Sequence, residues 1–202
     1  MIAYAINAAI ASRMFDRIIV STDDAEIAVI AKRHGAEVPF VRPPELADDY
    51  TPTVPVITHA IEAISRFGWD VAWCCCIYPG VPLIDPADIV AAWDLLQFSG
   101  GRGYAFPVTE FPSAIQRALR RDRTGAVGPF DLAHVATRTQ DLEPAYYDAG
   151  QFYWGGVDAW LAHLSIHGNG RAIVLPQWRV VDIDTPADWD RAEALYGTLG
   201  GR

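Results

Sequence analysis

Apolar and polar positions alternate in blocks along this chain, and the blocks change period. Residues 2–14 carry apolar side chains at helical spacing, so they predict a helix. Arg17 to Thr22, reading Arg-Ile-Ile-Val-Ser-Thr, is β-branched and apolar on both faces, which predicts a short buried strand. Asp23 and Asp24 then open a helix to about His34, and Gly35 stops it. Ala36 to Phe40 predicts a second strand, and the Pro-rich, acidic residues 41–53 a loop. Pro55 lies near the start of a helix that runs to about Phe67. Val71 to Tyr78 predicts another buried strand, and Pro86 introduces a helix through about Phe98.

The second half is less regular. Tyr104 to Thr109, Ile115 to Leu119, Gln151 to Trp154, Ala172 to Leu175 and Arg179 to Ile183 predict strands. Val157 to Leu164 and residues 186–197 predict helices, and 122–148 is a polar excursion. Strands alternating with helices indicate an α/β chain with parallel strands and crossover helices.

With 202 residues, one domain with at most a small arm is expected. A net charge of −9 would repel a nucleic-acid backbone from most of the surface. No run of 18 apolar residues exists, so no membrane-spanning helix is predicted, and the start of the chain does not read as a signal peptide. Cys74, Cys75 and Cys76 are adjacent, which suits small apolar packing residues in a buried strand and a reducing cytoplasm.

Ligands of open α/β sheets bind beyond the carboxyl ends of the strands. Three groups stand there: Ser21 to Asp24, Tyr78 to Gly80, and Asp182 with Asp184. On a strand, Asp182 and Asp184 would share a face, and two such carboxylates suit a hard divalent cation. The string equally suits Asp184 as a helix N-cap with Asp182 solvated. Asp23 and Asp24 read first as helix caps. His163 and His167, four apart, read as surface residues. No Gly-rich phosphate-loop motif and no nucleophile-elbow motif is present.

Four strings in order carry a resemblance. They are Phe15-Asp-Arg-Ile-Ile-Val-Ser-Thr-Asp23, Ala28 to Glu37, Arg42-Pro-Pro-Glu-Leu-Ala-Asp48, and Asp182-Ile-Asp-Thr-Pro-Ala-Asp-Trp189. Together they resemble the cytidylyltransferases that activate nonulosonic acids, which include the CMP-sialic acid synthetases. Glu110-Phe-Pro-Ser-Ala-Ile-Gln-Arg-Ala-Leu119 and the stretch from Thr139 to Gly155 look most like the pseudaminic acid branch.

That resemblance implies a three-layer, Rossmann-like nucleotide-diphospho-sugar transferase fold with a mostly parallel sheet. It implies transfer of CMP from CTP to pseudaminic acid with release of pyrophosphate, and legionaminic or N-acetylneuraminic acid as alternative sugars. Asp182 and Asp184 match the family's magnesium ligands, and Arg42, Thr53 and Asp23 fall at nucleotide-contacting positions. Tyr78 stands where sialic acid enzymes carry a sugar-contacting Gln. Gln116, Arg117, Arg138 and Gln151 fall in segments expected to line the sugar pocket. The excursion, about residues 104–148, is expected to act as a dimerisation arm of a cytoplasmic homodimer. Family members begin with a buried strand and a basic Gly-rich loop similar to Ile-Pro-Ala-Arg-Gly-Gly-Ser-Lys, which this sequence does not contain. The expectation is therefore that Met1 is not the natural start or that the gene is truncated. A 202-residue chain without the loop is expected to be weakly active, or an inactive remnant.

Overall fold

The computed structural model describes residues 1–198. Helix α1 spans Ile2–Ser12 and ends where Arg13 turns left-handed at φ 56°. Helix α2, Ala25–Arg33, is capped by Asp24, whose carboxylate accepts from the Ile27 amide at 2.8 Å. Helix α3 is Thr53–Ser65, strand β1 is Trp73–Ile77, and helix α4 is Pro86–Phe98, capped by Asp85. Strands β2, Tyr104–Glu110, β3, Leu119–Arg121, and β4, Val127–Pro129, follow. Strands β5, Tyr146–Asp148, and β6, Phe152–Gly156, then lead into the short helix α5, Val157–Leu161. Strand β7, Gly170–Leu175, and helix α6, Pro186–Thr198, complete the order.

Three layers result. One face of the sheet packs Ala105, Phe152 and Trp154 against Ala8 of α1 and Ile89, Ala92 and Leu96 of α4. The other packs Tyr104, Phe106, Val108 and Tyr153 against Ile61 of α3 and Ala159 and Trp160 of α5. The alternation along β2 and β6 follows from the two-residue repeat of a strand. Polar ends of buried aromatics find partners: the Trp154 indole donates to the Ile89 carbonyl at 2.9 Å, and the Trp160 indole to the Cys74 carbonyl at 3.2 Å. Gly155 is required at this crossing, because a Cβ there would stand 2.6 Å from the Trp160 indole nitrogen and 2.7 Å from the Tyr104 ring.

Strands β1, β2 and β7 run in one direction, with β2 and β7 in a parallel ladder. Strand β6 threads between β1 and β2 the opposite way, so the ladder is antiparallel at its centre, and the parallel expectation holds for strand direction rather than for every pair. Strands β5 and β6 lie along the same edge of β2, Asp148 opposite Val108 and Gly155 opposite Tyr104. They form one strand broken at Ala149–Gln151, where Gly150 adopts φ 62°.

Four predicted strands take other forms. Residues 17–22 and 36–40 meet at a single parallel bridge, Ile19 with Glu37, because two hydrogen bonds tie them on one side: Val20 to the Glu37 carbonyl and Glu37 to the Ile18 carbonyl. Ile115–Arg117 is one 3-10 turn that leads into β3. Arg179–Ile183 closes a 3-10 turn and continues as irregular chain, so Asp182 and Asp184 do not share a strand face. The excursion is also shorter at its start than the sequence implied. Residues 104–110 are the middle of the main sheet, and the projecting part is 111–145, carrying the β3–β4 hairpin. Among the described residues no helix is long and apolar enough to cross a membrane.

Candidate functional site

A cleft of about 1020 Å³ opens between residues 14–22 and β1, floored by α1 and α3. Residues 17–22 are held in place from outside it. Arg17 makes a double contact with the Glu37 carboxylate at 2.9 and 3.0 Å, and its guanidinium lies 3.8 Å from the centre of the Trp69 ring. The interior is largely apolar: Ile57, Ile61, Trp73, Trp93 and the three cysteines line it. Burial holds all three thiols protonated, with Cys74 pushed up to about 12. The three half-buried thiols pack as small apolar groups along the cleft wall.

Polar groups gather at one end of this cleft. Arg42 is bound to the turn after residue 20: its Nε donates to the Ser21 hydroxyl at 3.2 Å, its terminal nitrogen to the Ser21 carbonyl, and its own amide to the Thr22 carbonyl at 2.9 Å. Thr53 starts α3, and its hydroxyl pairs with the Tyr78 hydroxyl at 2.5 Å. Tyr78 follows β1 directly, with its amide donating to the Gln151 carbonyl at 2.9 Å. Arg42, Thr53 and Tyr78, separated by up to 36 positions in sequence, therefore line one cleft. Asp23 sits exposed at its margin, next to the capping Asp24.

A second polar group adjoins the first through aromatic contact. The Tyr78 ring meets Tyr153 edge-on at 5.5 Å, and the Tyr153 hydroxyl donates to Asp148 at 3.0 Å. Burial first, and then the Asp148 charge and Tyr78, hold the Tyr153 phenol far above its ordinary range, so it stays a donor. Asp148 in turn bears on Asp182. The Asp182 carboxyl is pushed up by desolvation, then by the charges of Asp184, Asp188 and Asp148. Asp188 is engaged elsewhere, accepting from the Thr185 amide at 2.9 Å and hydroxyl at 2.6 Å. It is Asp188, and not Asp184, that makes this cap-like contact at the start of α6.

Asp182 and Asp184 thus crowd like charge without a strand to align them. Among the described residues no group of three or more His, Cys, Asp or Glu side chains forms a cage. Two hard carboxylate ligands fit a divalent ion that keeps several waters and takes its remaining ligands from a substrate phosphate.

The other predicted residues do not join the cleft. Gln151 is buried at 3% exposure and donates to the Arg179 carbonyl at 2.9 Å, which bridges the broken strand to the chain leading to Asp182. Gln116 donates to the Glu143 carbonyl at 2.9 Å, and Arg117 to the Thr139 hydroxyl at 3.3 Å. Arg138 is exposed and lies 3.9 Å from Asp141. These three belong to the projecting arm. Sequence reasoning missed Asp148, Tyr153 and His167. The first two sit inside the Thr139–Gly155 string that carried the resemblance; His167 read as a surface residue, and its partner lies 19 positions away.

The model of the family described as Cytidylyltransferase matches residues 1–120. The chain is 38% identical over 197 residues to the pseudaminic acid cytidylyltransferase of Campylobacter jejuni subsp. jejuni serotype O:23/36, covering 97% of this chain and 84% of that protein. It is 28% identical over 195 residues to the N-acylneuraminate cytidylyltransferase of Escherichia coli O18:K1:H7, covering 95% of this chain and 45% of that protein. Among solved structures, a CMP:2-keto-3-deoxy-manno-octonic acid synthetase complexed with CTP superposes with a TM-score of 0.68 at 13% identity, over 98% of this chain and 88% of that one. That likeness establishes the fold.

Proposed function

The chain belongs to the cytidylyltransferase family, and from that premise we propose that it transfers CMP from CTP to pseudaminic acid or a close nonulosonic acid, releasing pyrophosphate. The observation that carries the reading is the 38% identity to a pseudaminic acid cytidylyltransferase along 97% of the chain. The meeting of Arg42, Thr53 and Tyr78 in one cleft supports it.

In this reading the sugar hydroxyl oxygen bonds to the α-phosphorus and gives up its proton to water, while the bond to the pyrophosphate oxygen breaks and pyrophosphate leaves. Little covalent chemistry falls to the protein, whose work is to position and to balance charge. Arg42, fixed by Ser21, offers a cation to the nucleotide side of the cleft. Thr53, on the nucleotide side, pairs its hydroxyl with that of Tyr78, which faces the sugar. Asp182 and Asp184 are the groups to hold a divalent ion, magnesium by the family's habit. When bound, that ion supplies charge neutralisation on the phosphates. Asp23 stays a nucleotide-margin residue in this scheme, and Gln151 acts by fixing the backbone of Tyr78.

Gln116, Arg117 and Arg138 lie on an arm whose apolar residues face outward: Phe130 is 63% exposed and Leu132 79%. Such a surface suits a second copy of the chain. A homodimer would let these residues reach a neighbouring site, and analytical ultracentrifugation tests the dimer.

The activity test is pyrophosphate release with CTP, magnesium and each of pseudaminic, legionaminic and N-acetylneuraminic acids, with the CMP-sugar identified by mass spectrometry. Turnover with pseudaminic acid is expected. CTP binding without CMP-sugar from any of the three would overturn the assignment.

A further inference from the structure

His167 stands in the turn before β7, and its side chain is 68% exposed. An exposed imidazole is ordinarily free to rotate. This one is not, because Nε2 lies 2.6 Å from the Asp148 carboxylate and the ring meets Phe106 edge-on at 5.4 Å. Asp148 is itself sheltered, its side chain 23% exposed, and its oxygens are occupied. Oδ1 accepts from the Gly150 amide at 2.8 Å, and Oδ2 accepts from the Tyr153 hydroxyl at 3.0 Å as well as from His167. A carboxylate takes donors only, so Nε2 carries a hydrogen, and in the neutral ring Nδ1 is then the acceptor, directed away from Asp148.

The placement of this pair matters more than its geometry alone. Thr53, Tyr78, Tyr153, Asp148 and His167 form one continuous series, by hydrogen bond or ring contact at each step. The series begins in the cleft that Arg42 lines and passes the carboxylate whose charge bears on Asp182. It therefore runs from the polar end of the cleft to the turn before β7, and His167 is its solvent-facing end.

We propose that His167 is a sugar-contacting, specificity-determining residue, with Nδ1 accepting a hydrogen bond from a hydroxyl or amide N–H of the nonulosonic acid. Asp148 is the positioning residue that sets the tautomer. The inference rests on the reading that the chain binds such a sugar. It assigns the recognition of a substrate donor group to a side chain outside the cleft, on the α3 and α5 face of the sheet.

The test is titration of the full chain with free pseudaminic acid, and separately with CTP, by calorimetry and by ¹⁵N spectra of the histidine rings. For the unaltered chain, the His167 Nδ1 signal is expected to shift on saturation with the sugar and to stay put with CTP. His167→Ala should lose roughly tenfold in sugar affinity, the scale of one net hydrogen bond, with CTP affinity and melting temperature unchanged. His167→Gln, which retains an acceptor, should recover part of the loss. Asp148→Asn should mix the two tautomer signatures and weaken sugar binding with it. Sugar binding by His167→Ala equal to that of the unaltered chain overturns the proposal and leaves the functional reading standing. Failure of the unaltered chain to bind the sugar overturns both.

Discussion

Strands β1 and β2 look alike in sequence and differ in the folded chain. Trp73–Ile77 and Tyr104–Glu110 are both runs of apolar and aromatic residues without the alternation of a half-solvated strand. Six of the seven residues of β2 are buried, and both of its edges carry partners, β7 on one and β5 with β6 on the other. Every residue of β1 is half-buried, and among the described residues its ladder is with β6 alone. Its other side faces the cleft and, across it, residues 18–20. Apolar composition reports that a strand's faces are covered; it carries no information on how many of its edges are paired. The centre of the sheet is paired along both edges, and the β1 side is paired along one and open to the cleft.

The sharpest way to break this contrast is to hollow the centre. Trp160 is fully buried, stacks edge-on against Tyr104 at 4.8 Å, and holds the Cys74 carbonyl. Trp160→Ala should cost about 3–5 kcal/mol in urea denaturation, enough to threaten the fold. On the cleft wall, Ile19→Ala should cost about 1 kcal/mol, since that side chain is already half-exposed. Equal losses at the two sites would erase the distinction.

Next in size is the ion pair that ties the start of α4 to the chain before Asp182. Arg179 bonds Asp88 and lies 3.4 Å from Asp85, with Arg179 and Asp88 side chains each 16% exposed. Removing the cation in Arg179→Leu leaves two sheltered carboxylates and should cost about 3 kcal/mol. Desolvation already raises the Asp88 carboxyl above 3.8, against the opposing pull of Arg179. A carboxyl raised in the folded state contributes stability that is whole below its unfolded value and is lost as pH rises through the folded one. The Arg179→Leu penalty should therefore be smaller at about pH 4 than at about pH 7, and adding Asp88→Asn should flatten that dependence.

The smallest stability effect should come from the cleft's polar end. Tyr78→Phe removes one hydroxyl from the bond to Thr53 and should cost about 1 kcal/mol or less. Its consequence for catalysis should be larger, roughly a tenfold rise in KM for the sugar, since a positioning group is lost. A drop in stability without a change in KM would move Tyr78 from the site to the scaffold.

Much of the fold was legible because helix signals are local. Asp24 caps where the sequence places it, and α4 runs Pro86–Phe98, close to its predicted span. The strand errors share a cause. Residues 17–22, 36–40 and 179–183 have strand-like composition, yet a ladder needs a partner along its length, and that is a property of the whole fold. The antiparallel passage of β6 escaped notice for a related reason, since the interruption at Gly150 hides the fact that β5 and β6 are one strand. In the candidate site, residues next to strand ends were found by position. Asp148 and His167 were not, because their meaning lies in a contact between distant segments.

The excursion is pinned at its base in a way that sets how it can vary. Glu110 stands opposite Tyr146 in the β2–β5 ladder, and the Phe111 amide donates to the Ala145 carbonyl at 2.9 Å. The chain therefore leaves and re-enters the sheet at neighbouring points, and residues 111–145 form a closed insertion. Lengthening such a loop costs little closure entropy, and a tight hairpin could span the same gap. The projecting segment is a replaceable module, free to diverge in length while the sheet beneath it stays the same.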